Sequence, residues 1–237
     1  EAACSESGAR LYINMTCNTD DAEREQAYLA FVRNVQPKLE PAGFALDQRH
    51  AQLIKQLDAD DERLRVLNRD TAAEVELFRD ENIPVKTELT ELGQKYQKIS
   101  GAMTVEFDGG ERTLPQMAKY QERTDRGTRE GAWRAVADRR MSDVDAIDDI
   151  LDQQVKLRQR LAQNAGLPNF VAYAFKSKKR FDYTPEDCFR FHSAVEAEVM
   201  PFVFELSRKP RAELDVGSLR PWDLAVDSKN RGPLQPF

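Results

Sequence analysis

The residues best suited to chemistry are few and far apart. His50 and His192 are the only imidazoles in 237 residues. A catalytic zinc ion needs three protein ligands and a water, commonly two histidines on adjacent helical turns plus a carboxylate. Neither histidine has another within its helix. His192 and Glu196 are four apart on one predicted helical face and could supply two ligands at most, and the plainer reading is an ordinary i,i+4 pair. Asp143, Asp145, Asp148, Asp149 and Asp152 cluster, yet their spacing spreads them around a helix as a solvated face does. Lys176 to Arg180 is a local basic run, readable as a phosphate site or as a helix end where cations suit the dipole. Asp108-Gly109-Gly110 is a turn rather than a phosphate-binding loop, and no serine sits in a Gly-x-Ser-x-Gly elbow. On residue chemistry alone, the chain is a helical scaffold without a complete catalytic site.

Composition narrows the classes further. The chain is 41% hydrophobic and 32% charged, enough to bury a sizeable core if the apolar residues gather into stripes. A formal net charge of -6 argues against nucleic acid or an anionic membrane as partner, since phosphate neutralisation needs surplus Lys and Arg. No apolar run approaches the roughly 20 residues that span a bilayer, and the N-terminus lacks a signal-like pattern, so a cytoplasmic location is expected. Cys4, Cys17 and Cys188 are odd in number and widely spaced, which disfavours a disulfide framework or a zinc knuckle. The chain starts on Glu1 and stops on Phe237 after the turn-like stretch from Arg231. Both ends are expected to be cuts from a longer protein.

Helical periodicity supplies the elements that would position these residues. Tyr28, Phe31, Val35, Leu39 and Leu46 form one stripe, capped by Thr19 or Asp20 and kinked or broken at Pro37 and Pro41. Leu64, Leu67, Thr71, Val75 and Phe78 form a second, expected to end near Ile83 because of Pro84. Leu89, Leu92, Tyr96 and Ile99 form a third, closed by Gly101 in a left-handed conformation. Met103 to Phe107 and Glu111 to Leu114 flank Asp108-Gly109, the signature of a tight hairpin. Asp125 should cap one long helix through Trp133, Ala137, Met141, Val144, Ile147, Leu151 and Val155 to Asn164-Ala165-Gly166. Thr184-Pro185-Glu186-Asp187 is the clearest helix start. It leads a stripe of Cys188, Phe191, Val195, Val199, Phe202 and Leu206, with a kink expected at Pro201.

Four stretches carry more than periodicity: Arg10-Leu11-Tyr12-Ile13-Asn14-Met15-Thr16, the run from Ser100 to Gly109 continuing through Arg112-Thr113-Leu114-Pro115-Gln116, Arg180-Phe181-Asp182-Tyr183-Thr184-Pro185-Glu186-Asp187-Cys188, and Arg220-Pro221-Trp222-Asp223-Leu224-Ala225-Val226-Asp227. Together and in order they resemble the N-terminal part of oligoendopeptidase F, in the thimet oligopeptidase-like group of zinc metallopeptidases. The resemblance implies a mostly α fold, with long helices forming one lobe of a two-lobed peptidase and a single two-stranded β-hairpin. It implies a helical lobe over 1–166, with the hairpin at about 103–114, and the opening helices of the catalytic domain over 167–237. The implied parent cuts short peptides in a deep channel, and this chain would wall that channel beside a missing C-terminal catalytic part. Zinc in such enzymes is held by a His-Glu-x-x-His helix and a later glutamate. No position here matches them, so no catalytic or metal residue is expected in this chain, and the isolated chain is expected to be inactive. Thr104, Val105 and Glu106 are the substrate-channel candidates, as a strand edge that a peptide could join. The plainer reading is a hairpin that only packs on helices or braces the two lobes, since edges are usually covered. The alternative is a free-standing helical interaction module.

Overall fold

The computed structural model describes residues 2–57, 62–229 and 231–232, so 233–237 of the expected cut end lie outside the described residues. In chain order the helices are α1 (Ala2–Thr16), α2 (Ala22–Asn34), α3 (Gln36–Leu57), α4 (Arg65–Leu77) and α5 (Asn82–Gly101). The strands β1 (Thr104–Phe107) and β2 (Gly110–Thr113) follow, then a 3-10 turn at Pro115–Met117 and the short α6 (Ala118–Gln121). Next come α7 (Arg126–Met141), α8 (Val144–Asn164), α9 (Phe170–Ser177) and α10 (Pro185–Ala194). A π-helical turn over Val195–Val199 leads into α11 (Met200–Glu213), and a last 3-10 turn spans Pro221–Asp223. The expected mostly α fold with one two-stranded antiparallel sheet is what the described residues form. None of the helices among them is long and apolar enough to cross a membrane.

The chain divides into two compact units: residues 1–102 with 147–185, and 103–146 with 186–237. The first unit is cored by Leu77, Val85, Leu92, Ile150, Leu157, Leu161 and Tyr173, with Leu89, Ile99 and Phe170 packed against them. Asn82 is sealed within it, donating from Nδ2 to the Leu161 carbonyl at 3.1 Å and accepting from Asn164 at 2.8 Å. Such a buried amide is tolerated because its polar atoms are paired.

Several boundaries differ from those the stripes suggest. Asp21, rather than Thr19 or Asp20, caps α2, accepting from the amides of Glu23 and Arg24. The first stripe is two helices, with Pro37 in the opening turn of α3, where its missing N–H costs nothing. Pro41 lies within α3. α4 stops at Leu77 because Phe78 is extended (ψ 133°), and Pro84 belongs to the first turn of α5 rather than ending α4. Gly101 is the last residue of α5 and has no positive φ. Its need is for space: a Cβ there would meet the Thr19 side chain at 3.0 Å. The expected long helix is broken between α7 and α8. Ser142 returns its amide and hydroxyl to the Asp138 carbonyl at 3.1 and 3.0 Å, and Asp143 takes the Arg139 guanidinium. Side chains that satisfy the backbone locally in this way compete with helix continuation. Gly166 does take the left-handed role (φ 74°), with Leu167 N–H bonded to the Ala162 carbonyl at 2.9 Å.

The second unit centres on Met117, Tyr120 and Ala132, packed by Val105, Phe107 and Val136. Neither α10 nor α11 buries a single residue fully. Phe189, Phe191, Phe202 and Phe204 all stand exposed. The kink expected at Pro201 is instead the π turn just before it, which inserts one residue into the helical register.

Candidate functional site

The hairpin begins as a problem of backbone sterics. Asp108 and Gly109 take φ of 52° and 74°, the positive pair demanded by a two-residue loop whose twist matches the strands. Phe107 then faces Gly110, Glu106 faces Glu111, Val105 faces Arg112 and Thr104 faces Thr113. The pair closing a two-residue loop is hydrogen-bonded, and antiparallel pairs alternate from there. The N–H and C=O groups of Thr104 and Glu106 therefore point away from β2.

The two outer edges differ. On β2, the Thr113 amide donates to Gln116 Oε1 at 3.0 Å, which closes that edge with a side chain. On β1, no backbone hydrogen bond to a residue outside the hairpin reaches Thr104 or Glu106 among the described residues. The faces differ as well. Val105 and Phe107 pack on the core cluster, with Phe107 edge-on to Tyr120 at 4.9 Å, and the Tyr120 hydroxyl donates to Asp108 Oδ2 at 3.0 Å. Thr104 and Glu106 lie on the opposite face, where Thr104 Oγ1 donates to Glu111 Oε1 at 2.7 Å. The three sequence-chosen residues thus sit on one unpaired strand edge, with Val105 anchoring it and Glu106 exposed. An extended peptide could add to such an edge through main-chain bonds that read no side chain.

What holds this region was not foreseen. Arg129, buried on α7, donates from Nε to the Trp222 carbonyl at 2.8 Å and from one terminal nitrogen to the carbonyls of Arg123 and Thr124, both at 2.9 Å. Its other terminal nitrogen reaches Asp223 Oδ1 at 3.1 Å. Arg126 grips the same carboxylate with both oxygens engaged, at 2.9 and 2.8 Å, and the Arg220 amide adds a further bond at 3.0 Å. The Arg126 guanidinium, with the Arg220 amide and Arg129 behind it, holds the Asp223 carboxyl far below the usual carboxylate range against the opposing effect of burial. Arg126 and Arg129, three apart on α7, were the available signal in the sequence.

The other sequence candidates do not converge. His50 is half-buried in the first unit with Nε2 3.1 Å from Asn68 Oδ1. His192 and Glu196 are both exposed, and Glu196 falls in the π turn, so the regular i,i+4 relation is lost. Asp143 is taken by Arg139, and Asp145, Asp148, Asp149 and Asp152 are exposed. Lys176 and Lys179 pair with Glu76 and Glu74, and Arg180 lies over the Phe175 ring. Among the described residues no group of three or more His, Cys, Asp or Glu side chains could hold a metal ion.

Comparison with known proteins gives these features a context. Residues 119–232 match the family model for peptidase family M3. A crystal structure from Bacillus anthracis str. Ames assigned as an oligoendopeptidase F is 23% identical, with a TM-score of 0.83 over 92% of this chain and 40% of that one. PZ peptidase A, solved with an inhibitor, is 26% identical with a TM-score of 0.80, over 91% of this chain and 38% of that one. A second structure assigned as oligoendopeptidase F is 17% identical with a TM-score of 0.69, over 95% and 46%. The chain therefore spans less than half the length of these relatives. Among curated proteins none matches. Over residues 119–232 the sequence matches the family model for peptidase family M3, and along nine-tenths of its length the chain is similar in fold to a part of the solved oligoendopeptidase F and PZ peptidase A structures.

Proposed function

We propose that this chain is the N-terminal part of a zinc-dependent oligoendopeptidase that hydrolyses short peptides. The match of residues 119–232 to peptidase family M3 carries this reading. The zinc site belongs to a His-Glu-x-x-His helix and a later glutamate outside these 237 residues, so the local role is to wall the substrate channel. In this reading 1–166 is the N-terminal lobe and 167–237 opens the catalytic part, a division by chain order that differs from the two packing units. The enzyme works in the cytoplasm, and its partners are short peptides rather than nucleic acid or membrane. The outward groups of Thr104 and Glu106 bind and orient an extended peptide by main-chain bonds, which suits an enzyme tolerant of sequence.

Ligand counting sets the test. The 237-residue chain should neither bind zinc stoichiometrically at micromolar concentration nor cleave a quenched fluorescent peptide. The protein extended through a His-Glu-x-x-His helix should do both, and lose activity to a chelator. Chelator-sensitive cleavage by the 237-residue chain would overturn the reading. For the edge itself, Glu106→Pro removes one outward N–H while sparing the β1–β2 ladder. It should raise KM in the extended enzyme, and an unchanged KM would remove β1 from the channel.

A second reading, a helical interaction module without catalytic activity, is favoured by the exposed phenylalanines of α10 and α11. The reading frame beyond residue 237 separates the two: a downstream His-Glu-x-x-His supports the peptidase, and a stop codon supports the module.

A further inference from the structure

The apolar residues that α10 and α11 leave in solvent are too many for a solvated helix. Phe189 and Phe191 are 64% and 67% exposed, and Phe202 and Phe204 are 58% and 61% exposed. A packed phenylalanine buries about 150–250 Å², so the four rings hold roughly 400–600 Å² of apolar surface in water. That matches the largest apolar patch of an ordinary monomer. Val203 and Leu206, also exposed, add to it.

Their placement around the helix axis decides what kind of surface covers them. Phe189 and Phe191 are two apart within α10, and Phe202 and Phe204 are two apart within α11. Two residues turn a helix by about 200°, so each pair stands on opposite sides. A helix that rests on a body through one face is polar on the other, whereas one that is apolar on opposite sides is enclosed. A second copy related by a twofold axis meets one self-complementary patch, which leaves the far ring of each pair wet.

Enclosure needs chain on both sides. α10 and α11 lie inside residues 119–232, the segment that matches peptidase family M3. This chain covers only 40%, 38% and 46% of the solved relatives, so more than half of each lies outside the matched part.

We propose that α10 and α11 form the docking surface for the remainder of the same protein, which encloses the paired phenylalanines from both sides with apolar elements of its own. Resting on the reading of this chain as part of a longer peptidase, the surface is the contact by which the two parts hold together.

Hydroxyl-radical footprinting, read by mass spectrometry, compares the 237-residue chain with the protein extended along its natural reading frame, an added reporter peptide fixing the radical dose. All four phenylalanines should oxidise readily in the shorter chain and several-fold more slowly in the extended protein. Unchanged rates, or protection of only one ring of each pair, would overturn the proposal. Protection that grows with the concentration of the 237-residue chain would assign the face to a second copy instead. Serine matches phenylalanine in helix propensity. Phe202→Ser and Phe204→Ser should therefore each leave the urea midpoint of the shorter chain unchanged and lower that of the extended protein. An unchanged midpoint in the extended protein for either variant would count against enclosure. Cleavage of a quenched fluorescent peptide is scored separately. Chelator-sensitive cleavage with unprotected rings would sink the docking surface and keep the peptidase, and protected rings without cleavage would do the reverse. A stop codon directly after residue 237 would sink both.

Discussion

Arg129 and Asp223 lie 94 positions apart in the chain and meet at 3.1 Å with side chains only 2% and 0% exposed. A buried ion pair is tolerated when each partner's remaining polar atoms are occupied. Here the guanidinium also binds three backbone carbonyls, and the carboxylate also binds Arg126 and the Arg220 amide.

Removing the anion strands a buried cation. Asp223→Ala should lower unfolding free energy by about 3–5 kcal/mol, read as a fall in the urea midpoint. Arg126→Ala, on the exposed side of the same carboxylate, should shift the midpoint less. Equal shifts would mean that Arg129 is not the burdened partner.

The same carboxylate sets an acid limit. Its folded-state pKa lies below its unfolded value, so the stabilisation is complete above the unfolded pKa of about 3.9. It is lost as pH falls from there through the folded pKa, because the unfolded chain takes up the proton first. Urea midpoints of wild type and Asp223→Asn should therefore converge as pH drops below about 4 and stay apart at neutral pH. A constant gap across that range would contradict the assignment.

Much of the helix content was legible because apolar spacing reports the helical period. The hairpin was legible because Asp108-Gly109 announces its own geometry. Boundaries were less so. Pro84 could end one helix or begin the next, and only the extended Phe78 decides it. The Ser142-Asp143 break depends on side chains turning back to Asp138 and Arg139, which the apolar stripe does not reveal. For the site, Thr104 to Glu106 were chosen by resemblance and by edge geometry. The Arg126–Arg129–Asp223 network escaped because a charge pair nearly a hundred residues apart leaves no local pattern.

Strain at the hairpin turn offers a direct check. Gly109 sits at φ 74°, and Gly109→Val should destabilise the turn by about 1–2 kcal/mol. Amide exchange reads it residue by residue: Val105 and Arg112, inside the ladder, should lose protection. The Thr104 and Glu106 amides should exchange fast already in the wild type. Strong protection at Glu106 would mean that the β1 edge is covered.

Thr184 immediately precedes α10, with Pro185 as the first helical residue. Thr184→Ala should cost about 1 kcal/mol, and Thr184→Ser should cost little, since either hydroxyl can cap the first turn. Urea denaturation of both variants provides the comparison. Identical midpoints for Thr184→Ala and wild type would move the helix start elsewhere.

The discontinuity of the second unit also fixes an order of events during synthesis. Residues 103–146 emerge first, and their partners in 186–237 follow only after 147–185 have been made. The hairpin, α6 and α7 can meet early, since their contacts are local. Arg129 must nevertheless wait for Asp223, a delay on the order of ten seconds at ordinary elongation rates. Through that interval its guanidinium stays hydrated, and the arrival of Trp222 and Asp223 is the step that dries it, so closure of this unit is timed by translation itself.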